Sequence, residues 1–371
     1  MSVKRPILIT AGGTGGHVYP GLAVARALMA QNIPVVWMGT HAGLEAKVIP
    51  EAGIEMAWLT ITGLRGKGWE TWLLAPFRLV MALVQSIGIM LKHKPAAVLG
   101  MGGFVAGPGG LVAALMGKPL IIHEQNAVPG LTNKLLSLVS RRVLEGFPGT
   151  FAAKQKVQAT GNPVRTDIAE LPPPLERMAD RDDEPVHLLV IGGSLGATAL
   201  NEIVPQALAL LPEQQRPVVR HQAGARNITT AKEQYTQSGV NADVTAFIVD
   251  MAEAYGWADL IICRSGALTI AEVSAAGLAA ILVPYPHAVD DHQSANGAYL
   301  ADNGAALLFQ QKALSPEKLS ATLGELCANR AKLVKMGIAA RNLAKPYATL
   351  QVAAICAAYA GYDFEGEQVQ L

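Results

Sequence analysis

The chain is poor in cysteine, in aromatic residues and in charge. Its three cysteines, Cys263, Cys327 and Cys356, are widely spaced along 371 residues. That spacing gives neither a disulfide framework nor a paired zinc motif, and it fits a reducing compartment. Aromatics make up 5% and charged residues 16%, against 51% hydrophobic residues, which is a globular composition and not a disordered one. There is no CxxC and no serine nucleophile elbow. The opening residues lack the long apolar run and small-residue cleavage site of a signal peptide. One run, 72–91 (WLLAPFRLVMALVQSIGIML), is long enough to consider as a membrane span, but Pro76 and Arg78 interrupt it. It reads as a crossover helix, buried or amphipathic. The net charge of +1 gives no general affinity for nucleic acid, but it conceals an asymmetry: residues 1–162 carry +9 and residues 163–371 carry −8.

Glycine, by contrast, is plentiful and placed with a pattern. Pro6 to Tyr19 reads PILITAGGTGGHVY: a short apolar strand, the loop Gly12-Gly13-Thr14-Gly15-Gly16, and a helix start. Glycines let backbone approach closely, and a helix N-terminus directs N–H groups and a positive dipole end at an anion. His17 falls on the first turn of that helix, whose dipole opposes a positive charge on the imidazole, so the ring is expected to be neutral and thus able to accept a proton. Candidate strands at 6–10, 34–38, 55–59, 96–100, 118–122 and 142–145 alternate with helices beginning near Gly16, Gly43, Thr71, Gly107 and Gly130. Alternation of this kind predicts a parallel sheet with helices on both faces, and ligands beyond the carboxyl ends of its strands.

Residues 171–185 (LPPPLERMADRDDEP) read as a linker or surface loop near a domain boundary, and the Asp180-Arg181-Asp182 within it as a solvated charge run. The alternation then restarts, with strands at 186–191, 217–221, 243–247, 259–263, 279–283 and 305–309 and helices near 315–339 and 346–360. A second glycine loop, Gly192-Gly193-Ser194-Leu195-Gly196, stands where 12–16 stands in the first half. The fold expected is α/β, with two doubly wound Rossmann-like domains whose parallel sheets face across a cleft. Arg264 to Thr269 opens a further helix after a strand, a third phosphate-sized cradle, and Glu272 one turn on suits a ribose diol. His287, Asp290, Asp291 and His292 are too nearly adjacent at a helix start to be read as a metal cluster. Without a metal, a diphosphate leaving group needs helix N-termini and an arginine, for which Ser194, the 264–269 loop and Arg165 are candidates. The second strand runs into Trp37-Met-Gly-Thr-His41 and not into the acid of a dinucleotide site. Two alternatives nevertheless stay open: an NAD-dependent oxidoreductase and a non-catalytic lipid-linked scaffold.

GGTGGHVYP (12–20), TGLRGKG (62–68), GMGGFVAGPGG (100–110), HEQNAVPGLTNK (123–134), GNPVR (161–165), GGSLGA (192–197) and CRSGALTIAE (263–272) together resemble one group of enzymes over nearly the whole chain. These are the family 28 glycosyltransferases of GT-B fold that add N-acetylglucosamine to the lipid-linked precursor of peptidoglycan. The resemblance implies an acceptor and membrane-side domain over 1–163, a UDP-sugar domain over 164–345, and a C-terminal helix in 346–371 packing back on the first. It implies that the backbone of Ile248 reads uracil, that Glu272 holds the ribose, and that Ser194 and the helix start Ala267, Leu268, Thr269, Ile270 and Ala271 hold the diphosphate, assisted by Arg165. Gln293 and Asn126 would contact the sugar. Thr14, Gly15 and Gly16 join the donor set, although their loop as a whole is expected on the acceptor side. Gly103 with Arg65, Lys67, Trp72, Leu73, Phe77 and Arg78 would serve the acceptor, undecaprenyl-diphospho-N-acetylmuramoyl-pentapeptide, and an anionic membrane surface. No cofactor and no metal are implied. The expected location is the cytoplasmic face of the inner membrane, peripherally held, where other wall-synthesis proteins are candidate partners. The reaction would be a single inverting displacement with His17 as general base and Glu124 as second choice.

Overall fold

A computed structural model describes residues 4–60, 75–179, 181, 184–193 and 196–365. Arg65, Lys67, Trp72, Leu73, Ser194, Asp180 and Asp182 lie outside the described residues. The chain divides into two compact units: one of residues up to Val164 together with those from Lys345 onward, the other of Arg165–Ala344.

In the first unit the strands are short, and the central ones, β1, β2, β4 and β5, are buried along their whole length and mostly apolar, as burial on both faces requires. In chain order it contains β1 (Ile7–Thr10), α1 (Gly15–Ala30), β2 (Val35–Thr40), α2 (Glu45–Glu51), β3 (Glu55–Leu59), α3 (Ala75–His93), β4 (Ala97–Gly100), α4 (Gly103–Leu115), β5 (Leu120–Glu124), α5 (Leu131–Val139), β6 (Arg142–Glu145) and β7 (Val157–Ala159). The seven strands form one sheet of order β3-β2-β1-β4-β5-β6-β7, parallel throughout. Successive side chains alternate between its faces. Ile7, Ile9 and Ile121 point to the side covered by α1, α2 and the C-terminal helix Ala348–Ala360. Leu8, Leu120 and Ile122 point to the side covered by α3, α4 and α5. The C-terminal helix lies against α1 and β4 and buries Val352, Ala353, Ile355 and Cys356 there.

The outer surfaces of α3, α4 and α5 are apolar where water would favour polar residues. Helix α3 buries only a narrow line at Ala82, Ser86 and Met90, spaced one turn apart, and exposes Phe77, Leu79, Val80, Val84, Ile87 and Leu91. Its neighbours α4 and α5 expose Leu111 and Leu115, and Leu131, Leu135 and Leu138. Among the described residues no helix is long and apolar enough to cross a membrane.

In the second unit α6 (Thr166–Ala169) and α7 (Pro174–Met178) precede β8 (His187–Ile191), α8 (Thr198–Ala209), β9 (Val218–Gln222), α9 (Ile228–Gln237), β10 (Asp243–Thr245), α10 (Met251–Trp257), β11 (Leu260–Cys263), α11 (Ala267–Ala276), β12 (Ala279–Leu282), α12 (His292–Ala301), β13 (Ala306–Leu308), α13 (Pro316–Cys327) and α14 (Arg330–Asn342). Its parallel sheet has the order β10-β9-β8-β11-β12-β13. Two boundaries differ from expectation for local reasons. The stretch 315–339 is two helices, because Asn329 caps a new one by accepting from Lys332 N. The helix expected near Gly107 begins at Gly103, made possible by left-handed φ at Gly102 and Gly103.

Among the described residues of 171–185 most lie at the surface near the unit boundary, but Pro174–Met178 form a helix and Arg181 is partly buried, so the segment is no free linker. Pro174 opens α7, where a missing N–H costs nothing, and Met178 is buried in the core of this unit. Arg177 donates to the carbonyls of Ala276 and Gly277 at the end of α11, and Arg181 to that of Trp257 at the end of α10. Helix C-termini favour cations. Asp259, with its side chain fully buried, joins these pieces: it accepts from Arg181 at 3.0 Å, from the His187 N–H at 3.0 Å and from Arg330 at 3.4 Å. Composition marked the segment as solvent-exposed because its charges are compensated by residues 70 and more positions away.

Removal of the Asp259 carboxylate leaves two arginines facing an uncompensated interior. Asp259→Ala is expected to cost about 3–5 kcal/mol of stability, read from urea unfolding; a loss under 1 kcal/mol would show that the ion pairs are incidental. A second expectation concerns pH. Burial lowers both His123 and His221 from the ordinary 6.5 to about 4. Between those values the unfolded chain binds more protons, so stability is full above about pH 6.5 and falls as pH drops toward 4, by up to about 3 kcal/mol per histidine. A urea midpoint unchanged from pH 7 to pH 4.5 would contradict it.

Candidate active site

In the first unit the chain order of the sheet reverses between β1 and β4, and the loops beyond their carboxyl ends form the first site, as the rule for open α/β sheets requires. Thr14 stands at the N-cap of α1 in extended conformation with no side chain capping the helix, so the amides of Gly15 and Gly16 face outward, while those of His17 and Val18 bond Thr14 O. Buried Glu45 shapes the glycine loop from beneath: its carboxylate accepts from Gly13 N, Thr40 N and Thr40 Oγ1 at 3.1, 3.1 and 2.8 Å. Gly103, from the loop after β4, presses on the same loop so closely that a Cβ there would lie 2.5 Å from the Gly12 carbonyl oxygen, and its φ is +76°. His17 lies on the first turn of α1 with its ring beside Gly102, where a Cβ would come within 3.0 Å of Cε1. Its Nδ1 is 2.9 Å from Gln125 Oε1.

Glu124 is buried beside this group, and its carboxylate is saturated. Oε1 accepts from Asn126 N and Asn126 Nδ2 at 3.0 and 3.3 Å, and Oε2 from Gly130 N and Asn133 Nδ2 at 3.1 and 3.0 Å. That geometry ties Glu124 to the 124–133 turn, with its carboxylate oxygens already engaged. Asn126 is tied to that carboxylate through both its backbone and side-chain nitrogens. Phe77 and Arg78 stand apart from this group, on α3.

In the second unit the site forms at the carboxyl ends of β8, β9, β11 and β12. The glycine loop after β8 is packed hard: a Cβ at Gly196 would be 2.1 Å from the Ala223 carbonyl oxygen. Gln222, at the end of β9, donates to Gly193 O at 3.2 Å and accepts from Ile248 N at 3.0 Å, tying this loop to the 248 segment. The Ile248 N–H is therefore already engaged within the protein. Helix α11 begins at Ala267 with glycine before it and no side-chain cap, so the amides of Ala267, Leu268 and Thr269 are presented outward, while Ile270 N already bonds Gly266 O. Ala271 follows in the same helix.

One turn into α11, Glu272 accepts from Tyr255 Oη at 3.0 Å and stands 3.6 Å from Arg165 Nη2. Burial raises its carboxyl above the ordinary carboxylate range, opposed by Arg165 and by the Tyr255 hydroxyl. Arg165 itself is half-exposed at the start of α6. Arg264 is engaged differently: it donates to Val283 O, Pro284 O and Gln311 Oε1 at 3.0, 3.1 and 2.7 Å. It thus holds the loop after β12, whose Tyr285 N donates to Gln293 Oε1 on α12 at 2.9 Å. Among the described residues no group of three His, Cys, Asp or Glu side chains is arranged to hold a metal ion.

Residue patterns did not single out Glu45, His123, Gln125, Asn133, Gln222 or Tyr255. His123, Gln125 and Gln222 stand at or just past strand ends, while Glu45, Asn133 and Tyr255 lie on helices, and the contacts that define all six are tertiary.

Comparison with known proteins places both units in one family. The glycosyltransferase family 28 N-terminal domain matches residues 7–145 and the family 28 C-terminal domain matches residues 187–351. A UDP-N-acetylglucosamine–N-acetylmuramyl-(pentapeptide) pyrophosphoryl-undecaprenol N-acetylglucosamine transferase from Alkalilimnicola ehrlichii is 55% identical over 95% of this chain and 99% of its own. The protein of the same name from Cupriavidus metallidurans is 53% identical over 96% and 99%. The crystal structure of Acinetobacter baumannii MurG superposes with a TM-score of 0.83 at 42% identity, covering 95% of this chain and 99% of that one. The glycosyltransferase of kitacinnamycin, at 18% identity and TM-score 0.70 over 96% of this chain and 99% of its own, shares the fold. With family domains and full-length relatives aligned over both units, the chain belongs to glycosyltransferase family 28.

Proposed function

We propose that this protein transfers N-acetylglucosamine from UDP-N-acetylglucosamine to the 4-hydroxyl of the muramoyl residue in undecaprenyl-diphospho-N-acetylmuramoyl-pentapeptide, inverting the anomeric centre. Membership of the family supports the reaction class. The observation that carries the donor assignment is the arrangement within the second unit of an uncapped helix N-terminus, a carboxylate one turn later, and an arginine beside that carboxylate.

In this reading the amides of Ala267, Leu268 and Thr269 meet the diphosphate, with Ser194 and Arg165 adding to them. The negative charge that grows on the departing UDP is thus met by dipoles already in place. Glu272 accepts from the ribose diol, and Tyr255 keeps it oriented. Uracil is read through the carbonyl of Ile248, since the N–H is held by Gln222. Gln293 and Asn126 contact the sugar. The first unit takes the acceptor, with the uncapped start of α1 as its anion cradle. The acceptor hydroxyl attacks the anomeric carbon, UDP leaves with the bonding pair, and His17 takes the hydroxyl proton.

The acceptor is a lipid, and the apolar surface of α3, α4 and α5 supports a peripheral seat on an anionic bilayer at the cytoplasmic side. Leu115 and Leu138 are 77% and 73% exposed on it, with Lys92, Lys134 and Arg141 nearby in the chain.

The direct test is transfer of labelled N-acetylglucosamine to a short-chain acceptor, with and without chelator. Product is expected in both; its absence from both overturns the reading, and its loss with chelator alone overturns the expectation that no metal is needed. His17→Ala is expected to lower kcat by about a hundredfold or more while calorimetric binding of UDP-N-acetylglucosamine is retained. A loss of only a few-fold assigns the base elsewhere. Val84→Asp with Leu115→Asp and Leu138→Asp is expected to reduce co-sedimentation with anionic vesicles by tenfold or more, since three apolar anchors and favourable charge are lost together. Undiminished binding would place the membrane surface elsewhere.

A further inference from the structure

An imidazole can take a proton only on the ring nitrogen that carries none, and a helix N-terminus does not decide which nitrogen that is. The neighbours of His17 do decide it. The chain of contacts starts at the Gly161 carbonyl, which can only accept. It lies 2.9 Å from Nε2 of His123, so that nitrogen carries hydrogen. His123 is fully buried, and burial holds it neutral, down to about 4. It therefore has one N–H, and its Nδ1 presents a lone pair.

The side-chain amide nitrogen of Gln125 stands 3.2 Å from that Nδ1 and 3.3 Å from the His123 carbonyl oxygen. An amide has two N–H donors, and both find acceptors in this orientation. Turned over, the amide would set its oxygen against a carbonyl oxygen and a lone pair. Gln125 is buried, and its own carbonyl accepts from Asn162 Nδ2 at 2.9 Å, so the residue is held at both ends. Its Oε1 is thereby fixed toward His17, 2.9 Å from Nδ1. An amide oxygen accepts and does not donate, so the hydrogen of His17 sits on Nδ1.

We propose that Gln125 and His123 are positioning residues that hold His17 as its Nδ1–H tautomer, with Nε2 bearing the lone pair. The catalytic meaning of this tautomer rests on the reading of His17 as base, whereas the tautomer itself does not. The arrangement does what a carboxylate does behind a catalytic histidine, but a neutral amide orients the ring without adding charge. When Nε2 takes a proton, the Nδ1 hydrogen bond stays as it was, and nothing has to rearrange. The titratable groups around the ring are His123, Glu124 and, beneath the glycine loop, Glu45.

The test uses the whole protein labelled with 15N-histidine and long-range 1H–15N correlation, with His17 assigned by its absence in His17→Gln. Expected are a hydrogen-bearing Nδ1 and a bare Nε2 for His17, and the reverse for His123. In Gln125→Leu the His17 signals should move to the averaged tautomers of free imidazole, and kcat should fall about 10–100-fold with donor KM little changed. In Gln125→Glu the acceptor is kept, so the tautomer should persist, while the acidic limb of the pH–rate profile moves to higher pH because the new charge stabilises the imidazolium. Hydrogen on Nε2 of wild-type His17, or an unaltered tautomer in Gln125→Leu, overturns the proposal. Should Gln125→Leu not fold, the wild-type spectrum and the Gln125→Glu profile decide. The expected tautomer combined with full transfer by His17→Ala would uphold this assignment and remove only the reading of His17 as base.

Discussion

A backbone that leaves the end of a buried parallel strand has to satisfy its N–H groups or present them to a ligand. In this protein buried side chains at or beyond the strand ends determine which amides do which. Glu45 takes Gly13 N, Glu124 takes Asn126 N and Gly130 N, and Glu145 takes Gly149 N and Phe151 N. Gln222 takes Ile248 N in the second unit. The amides that remain outward, at the starts of α1 and α11, are those where an anion is expected. Each buried carboxylate is costly unless hydrogen-bonded, and here each is. The same bonds that compensate the charge also give each loop its shape.

Symmetry between the two sheets extends this logic. Both place the first strand of their unit centrally and put a glycine loop and an uncapped helix start beyond it. The first unit adds an imidazole on that helix, whereas the second moves its charged contacts to α11 and Arg165. A common architecture thus presents an imidazole beside its first-strand loop in one half and an arginine–carboxylate pair beside a helix start in the other.

Period and spacing made the fold legible in the sequence. Strands such as Ile7–Thr10 and Leu260–Cys263 are short, mostly apolar runs with glycine following within three residues, and Glu272 stands one turn past a glycine-led helix start, so both kinds of feature are local. The features that escaped are held by distant partners. Asp259 meets Arg181 and Arg330 from opposite ends of the second unit's sequence, so a proline-rich segment with no local periodicity is in fact fastened to the core. Strand β7, three residues long and only partly buried, has too little apolar pattern to show. Gln125 carried no signal of its own, since an amide declares its role only through the groups at its two ends.

The last helix has a consequence for how the protein is made. It supplies part of the core of the first unit, and its start is fastened to the point where the chain departs: Thr349 donates to the Val164 carbonyl, and Lys345 packs over Gly161. The second unit is therefore inserted, in sequence, inside the first. On a ribosome the first unit begins synthesis earlier yet lacks the helix that packs on α1 and β4 until some 180 further residues have emerged. The second unit has all of its strands before that moment and can close on its own. For this chain the order of synthesis and the order of completion are opposite.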